Sequence, residues 1–289
     1  MRPDAFAAVM ATGIVSIAAA DHGYDGISDV LAVISVALLA VLTVLAIVRL
    51  RPDFDDLDAP VQLLTFVAAC AVVGTRLAWW PLGVVGLLGW LLLLPIALWV
   101  MWRNRWTGLR DRARGGWELA GVASSGLAIV AADVGLVAVA IGLLVLGICL
   151  YCAMTGLVLW RAVHAPSAAD LCAPDAWILM GGAAIATLAG DHIDKAGFAD
   201  IRPVTIVTWI VASAWIPVLA AATVRMRVGN WWAAVFPLGM YSSATFATAV
   251  ETGWHPLTTI SLVFFWIALA AWLLTALVTS LRFRRENLR

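Results

Sequence analysis

Few residues of this 289-residue chain carry groups that do chemistry. The four histidines are His22, His164, His192 and His255. Three stand beside carboxylates: His22 follows Asp21, His192 lies between Asp191 and Asp194, and His255 is near Glu251. Such residues can build the zinc site of a membrane hydrolase. Here they belong to different segments with no H-x-x-x-H spacing, so loop positions are expected and the hydrolase is the rival reading. Cys149 and Cys152 form a C-x-x-C inside LVLGICLYCAMTGLVLW, with no polar partner nearby, and Cys70 is also in an apolar run. They read as small hydrophobes, and with Cys172 they imply no disulfide framework. The glycines at 83, 86 and 89 have no strand before them and no acidic residue after, so they read as a packing face and not as a nucleotide loop. There is no Walker motif. The expectation is a non-enzyme with no metal or cofactor.

The elements that position these residues are membrane helices. The chain is 63% hydrophobic and 12% charged, about half the charge of a soluble domain, so lipid must serve as solvent. Sixteen tryptophans fit membrane–water interfaces. A net charge of zero gives no bias toward nucleic acid. Apolar runs long enough to span occur at 5–20, 29–49, 60–79, 82–102, 117–132, 136–160, 175–192, 203–224, 231–250 and 257–281. The first resembles a signal peptide, but Asp4 cancels Arg2 and the run is not Leu-rich, so it reads as a retained helix. The whole of 1–289 is then one transmembrane domain. Of the eighteen Lys and Arg residues, only Arg76, Lys195 and Arg202 fall on the second side of this ten-span topology. The positive-inside rule places both termini in the cytoplasm of a plasma-membrane protein. The tail RFRRENLR reads as a topology signal.

Odd and even spans differ in composition. The even ones are bulky and, from the fourth on, Trp-bearing; the odd ones hold FAAVMATGIVSIAAA, GVASSGLAIVAA, MGGAAIATLAG and FPLGMYSSATFATA. Small residues allow close helix approach, and weakened helix geometry at membrane depth belongs inside protein or beside water. The fold expected is all-α: five helical hairpins, with an inner ring of five odd-numbered helices around a pore and an outer ring of five even-numbered helices. The third span is the least distinct. The candidate pore-lining residues are Thr12, Gly13, Ser16, Thr75, Ser124, Ser125, Gly182, Thr187, Ser242 and Ser243; tight packing is the alternative reading of the same composition. Carboxylates at mid-membrane are scarce, which disfavours a cation pathway or proton relay. Arginines at one mouth would concentrate anions there. Glu118, Asp133 and His192 are the only groups on which a proton-coupled carrier could be built.

The segment WWAAVFPLGMYSS (231–243) places Pro237 and Gly239 inside the ninth span, directly after Phe236. Phe236 can pack between helices or cross the passage, and Phe246 is its neighbour on the same helix.

FAAVMATGIVSIA (6–18), TFVAACAVVGTRLA (65–78), WILMGGAAIATLAG (177–190) and WWAAVFPLGMYS (231–242) resemble the tellurite-resistance/dicarboxylate transporter family. It includes tellurite-resistance membrane proteins, malate permeases, sulfite pumps and slow anion channels. The resemblance runs from Phe6 to about Leu281. It implies ten helices as five hairpins, a homotrimer, transport of small anions (C4-dicarboxylates such as malate, sulfite, tellurite-type oxyanions, halide or nitrate), and a pore closed by a phenylalanine on a kinked ninth helix. That residue maps to Phe236, with Pro237 and Gly239 supporting the kink. The chain departs in reading MATG, without a second glycine before the threonine, and in its loosely matched fifth span.

Overall fold

The computed structural model describes residues 3–49, 56–164, 173–197, 201–226 and 229–287. Arg2, Arg51, Cys172, the end of the acidic loop at 198–200, Arg227 and Arg289 lie outside the described residues.

Apolar runs in lipid must satisfy their own backbone groups, which a helix does within one segment. The helices are α1 (Ala7–Asp21), α2 (Asp25–Arg49), α3 (Ala59–Arg76), α4 (Trp80–Arg103), α5 (Arg105–Arg112), α6 (Leu119–Asp133), α7 (Val137–His164), α8 (Ile178–Lys195), α9 (Arg202–Thr223), α10 (Trp232–Thr252) and α11 (Pro256–Asn287). Tight 3-10 turns at Pro3–Phe6, Gly115–Glu118 and Pro174–Trp177 lead into α1, α6 and α8. Ten helices, all but the short basic α5, are long and apolar enough to cross a membrane. They are the ten spans expected from hydropathy. Turns are tight where a left-handed residue ends the helix: Gly135 and Gly253, at φ 80° and 72°, close α6 and α10.

Burial alternates along the chain. Of the most apolar stretch of each odd span, 67–100% is buried, against 17–33% for each even span. The third span, α3, falls with the buried group at 78%. Each buried helix packs on the lipid-facing helix that follows it, pairing α1 with α2, α3 with α4, α6 with α7, α8 with α9 and α10 with α11. The buried helices also contact one another in a closed cycle, α1 to α3 to α6 to α8 to α10 and back to α1.

Small residues set the approach within this arrangement. A Cβ on Gly83 of α4 would lie 2.3 Å from Val130 Cγ1 of α6, and one on Gly89 would touch Phe66 of α3. The G-x-x-G-x-x-G run is therefore a packing face. A Cβ on Gly121 would lie 2.9 Å from the carbonyl oxygen of Gly147, and backbone cannot yield as a side chain can. Gly121→Leu is expected to push α7 off α6 and destabilise the protein by about 1–3 kcal/mol, the usual range for overpacking. Thermal unfolding in detergent measures this; an unchanged midpoint would contradict the close contact.

Candidate functional site: an axial cavity at the basic end

The five buried helices run parallel, so their N-termini converge at the end where most arginines lie. A cavity of about 360 Å³ occupies that convergence and is lined from all five segments. Four of them place a side-chain oxygen at its mouth: Asp4, Asp58, Asp175 and Asn230. The lead-ins to α1 and α8 are nearly the same sequence, PDAF and PDAW. These oxygens are held in place. Arg114 donates from Nε to Asp175 at 2.7 Å and from a terminal nitrogen to Asp58 at 3.2 Å, bridging α3 to α8. Trp117 Nε1 donates to Asp58 at 2.7 Å, the Gly116 N–H donates to Asp175, and Asn230 donates to Asp4 at 2.8 Å. Burial alone would lower the Arg114 pKa, but the carboxylates of Asp175 and Asp58 outweigh it and raise it, fixing the guanidinium as a cation.

Among the described residues, the arginines expected to gather anions do not line the cavity as a group. Arg114 is the one cation on its wall among the described residues, against the carboxylates of Asp4, Asp58 and Asp175, so the described lining carries a net charge of about −2. Five helix N-termini, each worth about half a positive charge, offset this. The mouth is close to electrically balanced, and loss of Arg114 would leave it negative.

Following each lining segment inward, the last residues reached are Met10, Thr65, Leu119, Ile178 and Phe236. None ionises. Phe236 is 1% exposed, so its ring is enclosed at the floor of the cavity. Pro237 cannot donate a backbone hydrogen bond, yet α10 runs unbroken from Trp232 to Thr252. Its ring packs on Gly181 of α8, where a Cβ would come within 3.0 Å of Pro237 Cγ. Gly239 takes Ile14 of α1, where a Cβ would lie 2.9 Å from Ile14 Cγ2. Proline and glycine thus seat α10 tightly between α8 and α1 around the phenylalanine. Phe246 sits elsewhere, its ring edge-on to His22 at 5.3 Å.

Five of the hydroxyls expected along the axis, those of Thr12, Ser16, Ser124, Thr187 and Ser242, bond residues of outer helices. Thr12 accepts from Trp272 of α11 at 2.9 Å, and Ser124 from Trp90 of α4 at 3.0 Å. Ser16 and Ser28 of α2 exchange hydroxyl-to-carbonyl bonds at 2.7 Å each, and Arg76 donates to both hydroxyls. Ser242 and Ser261 of α11 repeat that reciprocal pair. Thr187 bonds Thr208 of α9 at 2.9 Å. Ser125 lies against Gly147 of α7, Gly13 against Val72 of α3, and Gly182 against Tyr151 of α7. Thr75 is half-buried in the last turn of α3. Ser243 is buried without a hydrogen bond to an outer helix among the described residues. The hydroxyls of Thr12, Ser16, Ser124, Thr187 and Ser242 thus fasten the lipid-facing helices to the inner ones. The physical reason is the indole N–H, which needs an acceptor when an outer-helix tryptophan turns inward. The site residues missed in sequence are Arg114, Asp58, Asp175 and Gly181; the recurring Asp before α1, α3 and α8 was their signal.

At the opposite end His192 bonds Asp133 at 2.6 Å, Lys195 bonds Asp191 at 2.6 Å and Arg202 approaches Glu251 at 3.5 Å. His22 meets the Ser261 hydroxyl at 2.9 Å, and burial lowers its pKa. The histidines are divided among different partners. Cys149 and Cys152 are exposed on α7.

The profile of the voltage-dependent anion channel family, SLAC1, matches residues 1–280. The chain is also 33% identical over 144 residues to an uncharacterized membrane protein of Mycobacterium tuberculosis, in both the CDC 1551/Oshkosh and ATCC 25618/H37Rv strains. That match covers 44% of this chain and 73% of its relative.

Proposed function

This chain belongs to the voltage-dependent anion channel family, and from that premise we propose that it conducts small anions along the axis of its five buried helices, with Phe236 as the gate. It is a multi-pass membrane protein of an anion-transporting family. The observation that carries the finer reading is the cavity where five parallel helix N-termini meet, ending on the enclosed Phe236 ring. Helix N-termini favour anions, and an apolar constriction gates by excluding water. Among the described residues, the wall between mouth and floor holds no ionisable side chain to couple a second ion, which supports a channel over a carrier. Halide, nitrate, sulfite, tellurite-type oxyanions and C4-dicarboxylates such as malate are the candidate substrates. The charge asymmetry supports a plasma-membrane orientation with both termini cytoplasmic, and the family resemblance supports a homotrimer.

The test is efflux of chloride, nitrate, sulfite and malate from vesicles containing the purified protein, against protein-free vesicles. Release of at least one anion above the protein-free rate, with potassium retained, is expected. Retention of all four, or release of potassium alone, would contradict the reading.

A further inference from the structure

The five buried helices share a feature at their starts: a side chain with an oxygen in or beside the first turn, namely Asp4, Asp58, Glu118, Asp175 and Asn230. Four face the cavity and are partnered. Glu118 is fully buried and turned away from the axis, into the contact of α6, α7 and α8. Its Oε1 accepts from the Thr155 hydroxyl of α7 at 2.6 Å. Its Oε2 has no hydrogen-bond partner among the described residues. On the α8 side stands Gly182, whose absent Cβ would lie 3.5 Å from Oε2. The nearby guanidinium, Arg114, is bound to Asp58 and Asp175. Among the described residues, the titratable group facing Glu118 is Tyr151 of α7, which is not a cation. Tyr151 accepts from Trp215 of α9. On its own segment, Trp117 is directed to Asp58.

An ionised carboxylate that is closed off from solvent, with one hydrogen bond and no paired cation among the described residues, is strongly disfavoured in such a place. A neutral carboxylic acid fits: one oxygen accepts from Thr155 and the other carries the proton. We propose that Glu118 is a proton-binding site, filled while α6, α7 and α8 are packed as described and emptied when they part. Parting admits water to Oε2, and the ionised form is then hydrated. The packed arrangement is also the one in which Phe236 is enclosed. Gly182, which stands against Oε2, adjoins Gly181, on which Pro237 packs next to Phe236. A shift of α8 that exposes Oε2 therefore also loosens the seat of the ring, and proton release and opening then favour each other reciprocally. The protein's conductance is expected to rise with pH through this residue.

The proton itself is read by infrared spectroscopy of the full-length protein in lipid at neutral pH. Wild type is expected to show the carbonyl stretch of a protonated carboxyl group, lost in Glu118→Gln. In Thr155→Val the same band is expected to move to higher frequency, because the carbonyl loses its donor. A band that survives in Glu118→Gln, carboxylate stretches lost in its place, or a band unmoved by Thr155→Val would each overturn the site. The conductance arm rests on the anion-transport reading. At a fixed anion gradient, wild-type flux is expected to rise with pH and Glu118→Gln flux to stay flat and low; an unchanged pH response in Glu118→Gln would overturn the coupling. Absence of flux from every protein would remove the transport reading, while the infrared band would still decide whether Glu118 holds a proton.

Discussion

Phe236→Ala is expected to raise anion flux by about ten- to hundredfold, equivalent to lowering the permeation barrier by about 1.4–2.8 kcal/mol. The ring is enclosed at the cavity floor with Met10 and Ile178, and as the proposed gate it would block an ion by bulk and by excluding water. Removing it leaves a path bounded by the remaining apolar wall. The same change deletes a fully buried aromatic side chain and is expected to cost about 3–5 kcal/mol of stability. Flux is therefore normalised to folded protein recovered in the vesicles. Phe236→Leu keeps most of the volume and is expected to fall between wild type and alanine. Equal flux from all three would return Phe236 to ordinary packing.

Arg114→Gln, made in the conducting Phe236→Ala background, is expected to lower anion flux by about two- to thirtyfold. The estimate takes one unit charge lost about 8 Å from the permeating ion, which at an effective dielectric between about 80 and 20 is about 0.5–2 kcal/mol. Arg114 is the cation that balances Asp58 and Asp175 at the mouth; without it both carboxylates face the entering anion. Arg114→Lys keeps the charge but cannot reproduce the planar fork that reaches both partners, so its flux should lie between the two. Added salt screens exposed charge and should narrow the difference. A glutamine variant with undiminished flux would show that permeating anions do not pass Arg114.

Fold and site differed in how readable they were. The ten spans and their alternation were legible because lipid imposes a strong compositional signal: VLAVISVALLAVLTVLAIV in α2 and GVASSGLAIVAA in α6 are not interchangeable. The direction of individual side chains was not legible. Helix α6 is buried on all sides, so no apolar stripe marks one face, and Ser124 could be placed on the inner ring but not turned toward α4. The tryptophans misled in the same way. Interface preference accounts for indoles near the helix ends, whereas Trp90, Trp209 and Trp272 donate inward to Ser124, Thr245 and Thr12. Arg114 was hidden among the basic residues that mark topology. Its distinct role depends on Asp58 and Asp175, which are distant in sequence and meet only when the helix starts converge. The gating role proposed for Phe236 rests, in the sequence, on the resemblance alone, because no periodicity separates a gating ring from one packed between helices.

The central claim is that anions pass along the axis of the buried helices and that Phe236 stops them. The most direct measurement is the reversal potential of currents through Phe236→Ala in a planar bilayer under an asymmetric potassium chloride gradient. The account predicts currents larger than wild type that reverse near the chloride equilibrium potential. Reversal near the potassium potential, or currents no larger than wild type, would contradict it.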